Sequence, residues 1–245
     1  TYLDHKSYYT NGSGVNVGVE VGNSSVTSGN KTTVTFTADT CAATLRYYYK
    51  IPEEARGKDV SFTFSASASN GEKVQYEMGP YKVREMDLKL DLIAKDGSTC
   101  YISIADMAVY DASAATSNPE RIDLIYLHRS VPGVTFNHSI VSPTSDAQYR
   151  PGLELSSGLH NKSKLIKAWN IQDRQLARMQ YGVFVDDVDL KNMNFNGAPD
   201  YIINMRPESG LWVETENGKY RAYIFINKVD NAKKEITFSI KRLQV

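Results

Sequence analysis

The sequence predicts a mainly β protein of two domains: an N-terminal immunoglobulin-like β-sandwich followed by a larger antiparallel β domain with one covering helix. Three observations carry this expectation. Apolar residues alternate strictly with polar ones through most of the chain, which marks half-buried strands. The alternating runs are short and broken by Gly, Pro, Asn and Asp at the spacing of antiparallel sandwiches. One stretch, 163–180, instead repeats its apolar residues with a helical period.

Residues 1–11 are polar and glycine-spotted and read as a linker. Between 12 and 84 the alternation runs through Val15, Val17, Val19 and Val21, then Val34 and Phe36, then Leu45, Tyr47 and Tyr49. It continues through Val60, Phe62, Phe64, Ala66 and Ala68 and ends with Val74, Tyr76 and Met78. Breaks fall at Gly22–Asn30, Asp39–Thr40, Pro52–Lys58 and Asn70–Gly71, so this region forms five or more short strands. It lacks the Cys–Trp–Cys pattern of antibody domains, so only the architecture is implied.

The second domain, 85–245, opens with Met86, Leu88, Leu90 and Leu92, a turn at Asp96-Gly97-Ser98, and a strand from Cys100 to Ala105. A three-residue loop, Asp96 to Ser98, would set Leu92 against Ile102 and Leu90 against Ile104, whereas a two-residue loop would set them against Tyr101 and Ser103. Apolar pairing favours the longer loop. Asp111–Asn118 is a short Ala-rich turn or helix with Asp111 as N-cap, and Pro119 forbids its continuation. Further strands are expected at 122–127, 136–141, 183–188, 201–205, 211–216, 220–227 and 235–243. In the helix expected at 163–180, Ile166, Trp169, Leu176 and Met179 share the buried stripe, and the helix covers one face of the sheet.

The Asn217-Gly218 pair between alternating strands predicts a hairpin with a type I′ turn. Counting back from a two-residue loop sets Glu216 against Lys219, Glu214 against Arg221 and Trp212 against Tyr223 on one face. Thr215, Val213 and Leu211 then meet Tyr220, Ala222 and Ile224 on the other. Ile236, Phe238 and Ile240 extend that aliphatic face as a third strand.

Composition excludes some functions. Lys plus Arg equals Asp plus Glu at 28 each, so the charge footprint of a nucleic-acid binder is missing. No apolar run is long enough to span a membrane as a helix. The first residue is Thr1, so the chain reads as a processed or trimmed product whose targeting segment lies upstream. Cys41 and Cys100 are too few for a disulfide scaffold, and leave open two buried thiols or a single bridge between the domains.

No catalytic signature is present: there is no Gly-x-Ser-x-Gly, no His-Glu-x-x-His and no phosphate-binding glycine loop. The aromatic pair Trp212 and Tyr223, flanked by Glu214 and Arg221 and continued by Phe225, has the make-up of a sugar-stacking platform, and packing under the protein's own helix is its bland alternative. Asp186, Asp187 and Asp189 with Asn192, Asn194 and Asn196 form a dense oxygen cluster that invites calcium near Asp187 and Asp189. Its spacing does not match an EF-hand, and turn-forming roles fit it better. His128 and His138 could meet on neighbouring strands but lack a third ligand. An acidic pair such as Glu208 with Glu214 would be needed for a glycosidase.

The segments Cys100-Tyr-Ile-Ser-Ile, Val109-Tyr-Asp-Ala and Pro119-Glu-Arg-Ile-Asp-Leu-Ile-Tyr126, with Lys167-Ala-Trp-Asn, Gly182-Val-Phe-Val-Asp-Asp, Trp212-Val-Glu-Thr and Gly218-Lys-Tyr-Arg-Ala-Tyr, give the chain its resemblance to a family. It resembles uncharacterised surface lipoproteins of gut Bacteroidetes that place an immunoglobulin-like module before a β-rich domain. The resemblance implies export, an outer-surface or periplasmic location, a lipid anchor upstream of Thr1, and a glycan or host macromolecule as partner; it carries over no site residue. The expected function is therefore a non-catalytic extracellular binding or adhesion module, with carbohydrate as its first candidate ligand. A glycan-processing hydrolase and a structural subunit joined through open edge strands are the alternatives.

Overall fold

A computed structural model describes residues 1–40 and 42–245. Cys41, and with it the question of a bridge to Cys100, lies outside the described residues. The chain divides into two compact units, Thr1–Val83 and Arg84–Val245.

The first unit is built from two-stranded antiparallel ladders. Its strands are β1 (Tyr2–Leu3), β2 (Lys6–Thr10), β3 (Asn16–Glu20), β4 (Val26–Ser28), β5 (Lys31–Thr33), β6 (Tyr47–Tyr48), β7 (Asp59–Ser67) and β8 (Lys73–Lys82). They pair as β1 with β6, β2 with β3, β4 with β5 and β7 with β8. Residues 1–11 are thus not a linker. The Asp4 carboxylate accepts from the Tyr8 hydroxyl at 2.6 Å and the Lys6 N–H at 3.1 Å, and Lys6–Thr10 then pairs with β3, taking up the backbone groups of that strand. On one face of the β7–β8 ribbon Phe62 and Phe64 pack edge-on against Tyr47, with centroids 5.8 and 5.7 Å away, and Phe62 meets Tyr49 at 5.0 Å. Among the described residues of this unit only Val21 and Ala55 are fully buried apolar side chains.

The second unit is a two-layer sandwich. Its strands are β9 (Met86–Lys95), β10 (Tyr101–Ser103), β11 (Ala108–Tyr110), β12 (Leu124–Val131), β13 (Val134–Val141), β14 (Lys164–Ala168), β15 (Tyr201–Met205), β16 (Gly210–Glu214), β17 (Tyr220–Asp230) and β18 (Glu235–Gln244). One five-stranded sheet has the order β11-β10-β12-β13-β15 and the other β14-β16-β17-β18-β9. The main core lies between them: Ile102, Leu124, Tyr126 and Ile140 of the first sheet meet Leu211, Val213, Ile224 and Phe238 of the second.

The hairpin at Asn217-Gly218 has the expected register, Leu211 opposite Ile224, Trp212 opposite Tyr223, Val213 opposite Ala222 and Glu214 opposite Arg221. Its turn differs from type I′. Only Gly218 has positive φ (66°), and the Gly218 N–H donates to the Thr215 carbonyl at 2.8 Å, giving a longer loop centred on the same point. Lengthening a loop by one residue on each side leaves the pairing unchanged, which is why the register survives. β18 adds to β17 as expected and buries Ile236, Phe238 and Ile240.

The turn after β9 also has the expected length, with the Lys95 N–H donating to the Thr99 carbonyl at 2.8 Å across Asp96, Gly97 and Ser98. The ladder stops there, because β9 pairs with β18 while β10 pairs with β11 and β12, so Leu92 lies opposite Phe238 rather than Ile102. The turn joins the two sheets instead of folding one hairpin. Helix α1 (Ala112–Ser117) forms where expected, with the Asp111 carboxylate accepting the Ala114 N–H at 2.8 Å.

The helix expected at 163–180 is absent. Lys164–Ala168 is instead the edge strand β14, paired with β16 from Lys164 opposite Glu214 to Ala168 opposite Gly210. Asn170 turns the chain at φ 60°, and only a single helical turn, α2 (Arg174–Ala177), follows Asp173. The strand expected at 183–188 reduces to one bridge between Asp173 and Val183 before α3 (Asp187–Asn192) begins. Asp186 caps α3 in a capping box with Asp189, which is stronger local instruction than the apolar alternation of Val183 to Val188.

Candidate functional site

The sheet face that carries Trp212 and Tyr223 is covered. The segment from Ala168 to Ala198 crosses it, and Leu176, Val185, Leu190 and Phe195 pack on Trp212, Tyr223 and Phe225 as a second core. Trp212 is 7% exposed and Tyr223 0%, so the stacking platform expected from the sequence is corrected: it is an interior aromatic pair with ring centroids 4.7 Å apart. The Tyr223 hydroxyl donates to the Ile171 carbonyl at 2.8 Å, and burial raises its pKa. On the neighbouring strand Gly210, opposite Phe225, has no room for a Cβ, which would overlap the Tyr223 hydroxyl.

Glu214 and Arg221 are also spent internally. The Glu214 carboxylate accepts from Arg221 Nη2 at 2.7 Å and from Lys164 Nζ at 2.8 Å, and these two partners hold its pKa below the usual range against the opposing effect of burial. Arg221 Nη1 also donates to the Leu190 and Lys191 carbonyls at 3.0 and 2.6 Å, tying α3 to the sheet. The acidic pair suggested for a hydrolase does not assemble. Glu208 lies before β16 and bonds Gln172, whereas Glu214 ends that strand and is held by Lys164 and Arg221, so the two carboxylates take separate partners at opposite ends of the strand.

The covering segment is fastened by a buried ion pair that sequence reasoning missed. Asp173, 0% exposed, accepts from the Gln175 and Leu176 N–H groups at 3.0 Å each, from the Val185 N–H at 2.7 Å and from Lys241 Nζ at 2.5 Å. Lys241 Nζ also donates to the Val185 carbonyl at 2.9 Å. A signal was present: Asp173 lies four residues after Trp169 and three before Leu176, so an acid stands on the stripe a helix would have buried.

The aspartate-rich cluster works as caps and ion pairs. Asp186 accepts the Val188 and Asp189 N–H groups, Asp189 accepts the Asp186 N–H at 3.0 Å, and Asp187 pairs with Arg84 at 3.1 Å and Lys191 at 3.3 Å. Among the described residues no group of three His, Cys, Asp or Glu side chains is placed to hold a metal ion.

His128 and His138 do become direct cross-strand partners, with ring centroids 4.6 Å apart. His138 is buried, and both its nitrogens are occupied. Nε2 donates to Asn231 Oδ1 at 2.8 Å, which leaves Nδ1 to accept from the Tyr126 hydroxyl at 2.6 Å. Burial lowers its pKa. Beside them Asp96 pairs with Arg129 and accepts the His128 N–H at 3.2 Å, closing the end of the sandwich. Cys100 is buried, and desolvation pushes its thiol up to about 11, which favours the neutral thiol over the thiolate. Burial also pushes Asp123 up to about 6, but its carboxylate accepts the Ile104 N–H at 2.8 Å inside the β10–β11 turn.

What remains open to solvent is the outer side of the covering segment. Trp169, expected in the core, is 51% exposed, and Tyr181, Phe184 and Val183 are 78%, 55% and 53% exposed. Trp169 follows β14 directly, so the loss of the helix turns it outward. Lys167 Nζ stands 4.6 Å from the Trp169 ring centroid, and the Arg174 guanidinium lies 5.1 Å from that of Phe184. The segment doubles back on itself: the Val183 N–H donates to the Gln172 carbonyl at 3.2 Å and the Arg174 N–H to the Val183 carbonyl at 2.9 Å. Gly182 allows this at φ 137°, where a Cβ would strike the Gln172 carbonyl. The result is a ridge of exposed aromatic rings on a backbone held by internal hydrogen bonds.

Residues 84–245 match the family model for a domain of unknown function, DUF8576, and residues 1–83 match another, DUF4466. A crystal structure of a DUF4466 family protein from Parabacteroides merdae matches with a TM-score of 0.91 and 42% identity, covering 100% of this chain and 82% of that one. The chain belongs to the DUF4466 family and carries the DUF8576 domain. No curated protein matches it in sequence. Among the described residues of this DUF4466 family member no helix is long and apolar enough to cross a membrane.

Proposed function

We propose that this DUF4466 family protein is a non-catalytic binding module that contacts carbohydrate through the aromatic ridge of Trp169, Tyr181 and Phe184. The observation that carries the reading is the exposure of three large rings on one ordered segment, since a soluble protein leaves such rings open chiefly where something else covers them. Flat rings next to amide and charged side chains suit sugar CH faces and hydroxyls together. The heavy use of Ser, Thr, Asn and Tyr on strand surfaces supports an exported setting for such a module. A glycan array probed with the intact chain and with Trp169→Ala and Tyr181→Ala tests the proposal. Binding by the intact chain that both substitutions abolish, with unfolding midpoints unchanged, is the expected result; binding that neither substitution weakens overturns the site, and no glycan bound at all overturns the class.

A second reading, a structural subunit joined by strand addition, is favoured by β8. All ten of its residues are exposed, among the described residues it pairs only with β7, and Val74 and Tyr76 are 68% and 67% open. Light scattering decides this: a concentration-dependent increase in mass that Tyr76→Lys suppresses supports it, and a monomer at all concentrations removes it.

A further inference from the structure

Resting on the carbohydrate reading above, we infer that the glycan recognised at the ridge is acidic, a polysaccharide bearing uronate carboxylates. The ridge is rimmed by unneutralised cations. Arg206 is exposed, and neither Arg206 nor Arg174 has an acidic partner among the described residues. By contrast Arg178, on the same segment, is paired with Asp91, so among the described residues Lys167, Arg174 and Arg206 are the cations near the rings without an acidic partner, against the single carboxylate of Glu208.

Direct contacts make the ridge and the rim one surface. Lys167 Nζ donates to the Ile203 and Asn204 carbonyls at 2.7 and 2.8 Å while facing the Trp169 ring, and this places Trp169 over the β15 end that leads to Arg206. Arg206 is close enough to lower the Lys167 pKa, second to burial as a cause. The Arg206–Ser209 turn is fixed, with Ser209 Oγ donating to the Arg206 carbonyl at 2.6 Å. From this turn Glu208 reaches back to accept from Gln172 Nε2 at 3.4 Å, between Trp169 and Arg174.

The contacts thus gather the Trp169 and Phe184 rings, the Gln172 amide, the Lys167, Arg174 and Arg206 cations and one carboxylate, Glu208, so positive charge is in excess. A pyranose ring stacked on the open face of Trp169 would direct a carboxylate toward Arg206, whose planar fork matches carboxylate geometry in a two-point contact. Lys167 already occupies one face of the indole and adds positive potential there. A neutral glycan would leave both arginines without a counter-charge, while the carboxylates of a uronate chain would supply one.

The test compares polygalacturonate with its fully methyl-esterified form, which keeps the backbone and removes the charge, by affinity electrophoresis of the intact chain, Arg206→Gln and Trp169→Ala. Expected is binding to polygalacturonate that weakens with added salt, falls about tenfold in Arg206→Gln and is lost in Trp169→Ala, with little binding to the ester. Equal binding to both polymers overturns the preference for acid and leaves the carbohydrate reading standing. Failure to bind either polymer while other array glycans bind overturns it in the same way, and failure to bind any glycan overturns both. Unchanged urea midpoints for both variants confirm that folding is not the cause.

Discussion

Replacing Asp173 with Ala should unfasten the segment that covers Trp212 and Tyr223. The substitution removes a carboxylate that accepts three backbone N–H groups and leaves the Lys241 ammonium, 3% exposed, without its counter-charge. Breaking a buried pair from one side costs about 3–5 kcal/mol, and losing the N-cap of α2 adds about 1 kcal/mol, so roughly 4–6 kcal/mol is expected. Lys241→Met leaves a carboxylate that still has its three N–H donors and should cost less, about 2–3 kcal/mol. The double variant should be no worse than Asp173→Ala alone, because the orphaned ammonium is gone. Urea unfolding followed by tryptophan emission is the assay, since Trp169 and Trp212 both lie in the second unit and report on it alone. With a slope of about 2 kcal/mol per molar, Asp173→Ala lowers the midpoint by about 2–3 M. A larger loss in Lys241→Met than in Asp173→Ala, or additive losses in the double variant, would show that the ion pair does not fasten the segment in this way.

Three further outcomes follow from the same structure. Trp212→Ala should cost about 3–5 kcal/mol as a large-to-small change in a core, whereas Trp169→Ala should cost under about 1 kcal/mol; differential scanning calorimetry separates the two. Asp123 has a folded pKa of about 6 against 3.8 for an unperturbed aspartate, so between those values the folded state binds the extra proton and stability falls as pH rises. Asp123→Asn mimics the protonated acid, so it should exceed the parent by about 1 kcal/mol at pH 4.5 and by about 3 kcal/mol at pH 7.5; equal midpoints at both pH values would show that the carboxyl is not desolvated. Tyr223→Phe should cost about 1 kcal/mol for the lost bond to Ile171, and Gly210→Ala should cost more by forcing that ring aside, both read from urea midpoints.

The register of the β16–β17–β18 meander is legible in the sequence because period-two alternation and a turn centre determine every cross-strand pair, whatever the loop length. Alternation shows which side chains share a face, but not which segment covers that face. Trp212, Tyr223, Glu214 and Arg221 therefore come together as expected, yet lie under a cover that the pattern does not reveal. The covering segment imitates a helix because Ile166, Trp169, Leu176 and Met179 fit a helical stripe, while the open edge of β16 offers Lys164–Ala168 a better partner than its own turns. Asp173 and Lys241 are invisible as a pair, being 68 residues apart and each unremarkable alone. Likewise the Asp96–Ser98 turn has the length that apolar pairing favours, yet only the sandwich decides that β9 leaves it for β18. The exposed ridge is hidden with the same helical stripe, since Trp169 faces inward in one conformation and outward in the other.

Contact between a glycan and the ridge is tested most directly in Trp212→Phe, which leaves Trp169 as the sole indole, by titrating the protein with the polysaccharide that scores highest on the array. Trp169 emission should shift to the blue and saturate, while iodide quenching of it falls, because a sugar face replaces water on the ring. Saturable binding with no change in Trp169 emission or quenching would contradict carbohydrate contact at this ring.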